Sequence, residues 1–347
     1  LHSEGAIKYH QNSNLSPLPF WAALLDRAKV DSAFGNTSEA YSYFEKICIL
    51  AISAALQNQK IDIQDKKTLI LLSTTKGNVD VLNSNKFDEK RSYLHESARM
   101  IQNYFKHPNT PLIISNACIS GVVALNTAAR LLQEEQYEHV IVCGADIVSE
   151  FTISGFEAFK ALSPAPCKPF DAKREGTSLG EGAAAILLSS KIKSPIKILA
   201  GASSNDANHI SGPSRTGDGL FLAVNKTLLA HQSPAIDFIS AHGTGTIFND
   251  EMEAKAFTLA GLQNCSTHSL KGFFGHTFGA AGVIESAILV ESMRSNMLIP
   301  TKGFEEKNEL IHLNICSQVA EKELRTCLKT ASGFGGCNAA VLFQKSA

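Results

Sequence analysis

No two of the eight cysteines in this 347-residue chain stand in a Cys-x-x-Cys pair, and most lie inside apolar, strand-like runs. Cys48, Cys118, Cys143, Cys167, Cys265, Cys316, Cys327 and Cys337 therefore read as free thiols. That argues against a cysteine zinc site and a secreted disulfide framework, and for a reducing cytoplasm. No apolar stretch reaches the roughly 18 to 20 residues needed to span a bilayer, and no signal-peptide pattern opens the chain. The first residue is Leu1 rather than a methionine, so an initial segment is expected to be absent from this sequence. Charge of one sign is missing too: 32 Lys and Arg face 33 Asp and Glu, with no like-charged run and no basic stripe. Nucleic acid and membrane surfaces are thereby set aside as main partners. There is no Gly-x-x-x-x-Gly-Lys-[Ser/Thr], and Phe248 stands where a dinucleotide fingerprint beginning at Gly243 and Gly245 needs its third glycine, so no nucleotide cofactor is expected.

What the chain does have is the composition of a soluble globular enzyme, 44% hydrophobic and 19% charged. Short apolar runs at 68–73, 111–115, 140–143, 183–189, 196–202, 236–241, 326–331 and 339–344 predict buried strands. Helical periodicity at 38–57, 118–135, 251–260 and 279–293 separates most of them, which makes an alternating α/β chain. Two of these helices are small or apolar all round. The first carries Gly121, Ala124, Ala128 and Ala129, and the second opens on Gly279-Ala280-Ala281-Gly282; such helices are expected between two sheets rather than on one. The halves echo each other: Gly180-Glu181-Gly182 followed by an apolar run closes the first, and Gly335-Gly336-Cys337-Asn338 followed by another closes the second. This predicts a duplicated architecture divided into residues 1–193 and 194–347, with the join at 190–194.

Cys118 falls where the apolar run before Ser115-Asn116-Ala117 gives way to a helical pattern. A thiol at a helix N-terminus is favoured as thiolate, and nearby amides can hold an oxyanion. Two histidines stand in glycine-rich turns, Ala241-His242-Gly243-Thr244-Gly245-Thr246 and Gly272-Phe273-Phe274-Gly275-His276-Thr277. Either alone reads most simply as structural. Together with Cys118 they supply a proton acceptor for a thiol and donors for charge developing on oxygen. Their spacing is not that of a helical zinc site, Asp250 and Glu253 read as capping residues of the following helix, and no metal is expected. Lys271, followed mostly by Gly and Phe, is expected to be buried with a partner.

These motifs, taken in order, resemble the elongating β-ketoacyl synthases of the thiolase fold. The resemblance rests on Asn116-Ala117-Cys118, Ala161-Leu162-Ser163-Pro164, Pro169-Phe170-Asp171, Gly180-Glu181-Gly182 and Asp206-Ala207-Asn208-His209. It continues through His242-Gly-Thr-Gly-Thr with Asn249-Asp250 and Glu253, Lys271 with Gly275-His276-Thr277, and Gly333-Phe334-Gly335-Gly336 with Asn338, covering residues 111 to the end. It implies duplicated βαβαβαββ halves in an α-β-α-β-α sandwich. It implies that Cys118 takes an acyl chain from a carrier-protein thioester, with its own N–H and that of Phe334 as oxyanion hole. His242 and His276 would assist decarboxylation of malonyl thioester. Lys271 and Glu253 would form a supporting ion pair, Thr244 and Thr246 would contact phosphopantetheine, Phe334 would gate the acyl pocket, and Asp206 and His209 would give support. The partners implied are acyl carrier protein and a second subunit, as a homodimer or a heterodimer with a related synthase-like chain, without a separate cofactor.

The chain departs from the family pattern in places. The opening strand with its Thr-Gly-x-Gly signature is missing and the stretch before Cys118 is short. Ser332 replaces a Phe, Cys337 a Thr and Asn249 a Gly, so chain-length preference does not transfer. Two rival readings share the fold: a non-catalytic chain-length-factor-like partner subunit, against which intact Cys118, His242 and His276 argue, and an initiating or ester-forming acyltransferase.

Overall fold

The computed structural model describes residues 4–35 and 38–346; Leu1 and Ala347, the outer bounds of the two expected halves, lie outside them. Two sheets and two interior helices organise these residues. The first sheet runs Leu112–Ile114, Thr68–Ser73, His139–Asp146, Gly182–Ser189, with the first three parallel and the last antiparallel. The second runs Asn314–Ile315, Ser266–His268, Phe238–Ser240, Thr326–Gly333, Cys337–Lys345, Ile196–Asn205; its first four are parallel and its last two antiparallel. Among the described residues the second sheet has six strands and the first has four. Cys337–Lys345 is covered on its outer edge by Ile196–Asn205, whereas among the described residues no strand covers the outer edge of its counterpart Gly182–Ser189.

Between the sheets lie the helices Ser120–Gln133 and Ala281–Ser295, each packed on strands of both sheets. Their small residues explain the placement. A Cβ on Gly121 would stand 2.6 Å from the Val283 nitrogen, and one on Gly282 would stand 2.5 Å from the Val122 nitrogen, so the helices cross backbone against backbone. Leu125, Val142, Leu289, Phe238 and Val341, all fully buried, close the core around them. Tyr43–Leu56 covers the outer face of the first sheet. Its start is held by Ser42, whose Oγ accepts the Glu45 N–H while Glu45 accepts the Ser42 N–H, so the expected helix over 38–57 is a short 3-10 turn followed by this helix. Asp218–Leu229 and Ile247–Leu259 cover the second sheet. The result is the α-β-α-β-α layering of a thiolase-like fold. Helices Arg27–Phe34, Leu94–Phe105, Glu150–Ala158 and Asp218–Leu229 are additions to those predicted.

Candidate active site

Strand Leu112–Ile114 delivers Cys118 through a tight elbow. Ala117 adopts φ +44°, a left-handed conformation that a non-glycine residue holds only when its surroundings insist. Ser120 is the brace: its Oγ accepts the Asn116 N–H at 2.7 Å and donates to the Ala117 carbonyl at 2.6 Å. The helix itself begins at Ser120, so Cys118 precedes the first helical residue instead of opening the helix. Nor does its surrounding favour thiolate. Burial pushes the Cys118 thiol up to about 12, Cys337 adds to this, and Lys271 and the Phe334 N–H pull the other way. Desolvation thus works against the helix-terminus effect at this thiol.

His242 follows the end of the Phe238–Ser240 strand. Two carboxylates from the next helix shape its turn: Glu253 accepts the N–H groups of His242 at 2.8 Å and Gly243 at 2.6 Å, and Asp250 accepts that of Thr244 at 3.0 Å. These acids organise the preceding loop, a larger task than capping their own helix. Gly243 has φ +40° and its Cβ would collide with Ser269 at 2.5 Å, so glycine is required there. Lys271 donates to the His242 carbonyl at 2.6 Å and lies 3.3 Å from its Nδ1. An ammonium only donates, so Nδ1 accepts and Nε2 carries the imidazole hydrogen. Burial first, then Lys271 and His276, hold His242 well below the usual histidine range.

His276 is held differently. Its N–H donates to Ser178 O at 2.7 Å and its carbonyl accepts from Gly180 N–H at 3.0 Å, fastening the turn to the Leu179–Gly180 strand. Its Nε2 lies 3.0 Å from Cys118 Sγ. Beside it stand Phe156 and Phe278, at ring-centre distances of 6.2 and 5.7 Å. Burial, followed by Lys271, lowers its pKa to about 3. The two imidazoles meet edge to face, 5.1 Å between centres. Cys118 Sγ and one nitrogen of each imidazole lie within 4.8 Å of one another, a donor set with zinc-ligand chemistry that the reaction considered below does not need.

The expected Lys271–Glu253 pair is corrected. Lys271 is fully buried and pairs with Glu285 at 2.8 Å, while Glu253 is occupied by the backbone of the His242 turn. Glu285 lies 14 residues downstream on the interior helix, and its other oxygen meets Lys329, also fully buried, at 2.5 Å. Neither Glu285 nor Lys329 was legible as a site residue. A charged residue in an apolar helix or strand was the available signal, since such a group is rarely buried without a partner.

One pocket of about 570 Å³, its mouth included, joins Cys118, His242, His276, Thr244, Thr246 and Phe334. The Thr244 and Thr246 hydroxyls are 2.9 Å apart. Phe334 is half-buried between Phe156 and Phe159, at 5.5 and 5.2 Å. Asp206 lines the same pocket and braces the Phe334 turn from behind: its N–H donates to Gly336 O at 2.8 Å, and a Cβ on Gly336 would stand 2.1 Å from its carboxylate. His209 is exposed, its Nδ1 accepting the N–H groups of Ser211 and Gly212 at 3.2 Å. It is thus a local loop residue, and Asp206 binds Asn208 and Ser214 N–H groups instead of pairing with it.

Cys118, His242 and His276 thus meet in one pocket of a thiolase-like fold. The model of the β-ketoacyl synthase N-terminal domain matches residues 16–193 and that of the C-terminal domain matches 197–305, and the chain belongs to the β-ketoacyl synthase family. It is 27% identical to the putative mitochondrial 3-oxoacyl-[acyl-carrier-protein] synthase of Schizosaccharomyces pombe, over 87% of this chain and 81% of that protein. It is 30% identical to 3-oxoacyl-[acyl-carrier-protein] synthase 2 of Coxiella burnetii over 69% of this chain, and spans 62% of that relative's length. Among solved structures, the ishigamide ketosynthase/chain length factor superposes with a TM-score of 0.90 at 21% identity, over 99% of this chain and 93% of the other.

Proposed function

We propose that this chain joins a Cys118-bound acyl group to the carbanion of a decarboxylating malonyl thioester, giving a β-ketoacyl thioester two carbons longer. The observation that carries the reading is the 3.0 Å approach of His276 Nε2 to Cys118 Sγ. A thiol held neutral needs a base in contact, and His276 is that base. In the first half, the thiol proton passes to His276 as sulfur attacks the acyl thioester; the carrier thiolate leaves and takes the proton. The Cys118 and Phe334 N–H groups stabilise the oxyanion. In the second half, the malonyl carboxylate leaves as CO₂ and its bonding pair becomes an enolate. His242 Nε2–H donates to the oxygen, and so does His276 once acylation has removed the thiol proton and the neutral ring has exchanged its hydrogen with solvent from Nδ1 to Nε2; both bonds strengthen as charge appears. The enolate carbon attacks the acyl thioester and Cys118 departs as thiolate, which takes a proton from solvent to restore the thiol. Each electron pair stays on substrate or sulfur, so the chemistry asks for no separate cofactor.

Thr244 and Thr246 at the pocket wall would contact the phosphopantetheine arm, Phe334 would gate the acyl pocket, and Glu253, Lys271, Asp206 and Glu285 would position these groups. The similarity to 3-oxoacyl-[acyl-carrier-protein] synthases supports acyl carrier protein as the substrate carrier. Residues 1–193 and 194–347 are proposed as the two halves of one unit. No helix of the described residues is long and apolar enough to cross a membrane; the free cysteines support a cytoplasmic setting. A homodimer is proposed, supported by the outer edge of Leu112–Ile114, which no strand covers among the described residues; a monomer in light scattering would count against it.

The test is intact-protein mass after incubation with acyl-loaded carrier protein, followed by malonyl-carrier protein. One acyl mass shift, absent in Cys118→Ala, and then a β-ketoacyl product are expected. Loading without product would favour an acyltransferase that does not condense.

A further inference from the structure

Lys329 has no part in the steps just described, yet it is fully buried in the central Thr326–Gly333 strand, paired in register with Ser240. Its ammonium meets three oxygens: Ser240 O at 3.2 Å, Ala241 O at 3.1 Å and Glu285 Oε2 at 2.5 Å. Those two carbonyls and the His242 carbonyl, which Lys271 takes at 2.6 Å, are consecutive. They lie where the strand ends and the catalytic turn begins, so two ammonium groups bind the three carbonyls leading into His242. Glu285 sits between the two cations, one oxygen on each. An ion cluster in a dry interior often stabilises a fold less than apolar side chains of similar size would. A purely structural strand residue at this register would be apolar, as its fully buried neighbour Leu328 and its cross-strand partner Val341 are.

We infer that Lys329 is a positioning residue of the condensation half-reaction: its ammonium occupies an oxygen cage that sets the His242 turn and, through Glu285, presses Lys271 against His242 Nδ1. The inference rests on the condensing reading above. His276 and Cys118 are fastened by other elements, so loading of the acyl group should be spared while condensation suffers. The geometry also makes the role replaceable in a defined way. A cage of two carbonyls and a carboxylate sized for an ammonium should accept a free one once the side chain is gone.

The test compares Lys329→Ala and Lys329→Met with wild type, each assayed separately for acyl loading and for β-ketoacyl product, with melting temperature as the check on folding. In Lys329→Ala, product formation should fall about 10²-fold while loading changes by less than about threefold, and ammonium chloride should restore about tenfold where tetramethylammonium chloride restores nothing. Lys329→Met, which fills the space, should show the same loss without rescue. If both fail to fold, Lys329→Gln, which keeps two N–H donors without the charge, is read in the same way. Wild-type product formation in any folded variant would overturn the inference, as would equal loss of loading and condensation without ammonium rescue. If wild type loads but makes no β-ketoacyl product, the condensing reading has failed instead.

Discussion

His242 and His276 face each other across 5.1 Å, yet the protein holds them by opposite means. His242 is wired by charge, with Glu253 on the amides of its turn, Lys271 on its ring and carbonyl, and Lys329 on the two carbonyls before it. His276 is held by backbone bonds to residues 178 and 180 and by two phenylalanine rings, and its ring reaches the nucleophile. Two equal side chains thereby gain unequal surroundings. Charged groups surround the His242 ring and turn, whereas His276 stands against an apolar wall with its Nε2 on the Cys118 sulfur.

The strongest way to break this contrast is to remove each ring in turn. His276→Ala should lower both acyl loading and condensation, loading by about 10³-fold, because a thiol held up near 12 then has no base in contact. His242→Ala should lower condensation by about 10²- to 10³-fold and leave loading within about tenfold of wild type. Single-turnover acylation followed by product assay separates the two; matching losses in both variants would end the proposed division of labour. Next in size, Glu285→Gln should act as a His242 variant and spare loading, with condensation down about 10²-fold, since it loosens both lysines at once. Phe156→Leu should be the mildest, lowering loading about threefold by relaxing the wall beside His276.

Acid stability sharpens the comparison from another side. Buried His268 and His276 have pKa values lowered to about 3, from an unfolded value of 6.5, and His242 is also lowered. The unfolded chain therefore binds more protons than the folded one between pH 6.5 and 3, and stability falls as pH drops through that window, by about 1.4 kcal/mol per unit per histidine. Glu253, raised to about 7, and Asp146, raised to about 6, act in the opposite sense above pH 4.5, because there the folded state holds protons the unfolded state has lost. The histidine slope should thus emerge most clearly below about pH 4.5. Chemical denaturation across pH 3.5 to 6.5 should show a slope shallower by about one proton in His276→Asn than in wild type; identical slopes would mean that His276 is not held neutral.

How much of this was legible beforehand depends on the range of the contacts involved. The glycines around His242 and His276 and the all-round small helices announce themselves, because left-handed φ at Gly243 and Gly275 and the backbone crossing of Gly121 with Gly282 tolerate nothing larger. The elbow at Cys118 was legible as well, whereas the burial that raises its thiol pKa was not. Glu253 was placed near the histidines for the wrong reason. It lies on the helix that follows the His242 turn and serves the amides of that turn, while the partner of Lys271 comes from another helix. Phe156 and Phe278, which wall His276, gave no local signal, being aromatic residues in apolar surroundings like most others.

The sequence by itself determined which residues carry reactive groups, where the backbone must turn, and that two helices belong between sheets. These follow from sterics and hydrophobic period over a few neighbouring residues. Only the tertiary structure decided that Glu285 bridges Lys271 and Lys329, that Lys271 meets His242 while His276 meets Cys118, and that the thiol is buried. Those properties are electrostatic, and in a buried site they depend on which charges and dipoles arrive from distant parts of the chain once water has been excluded.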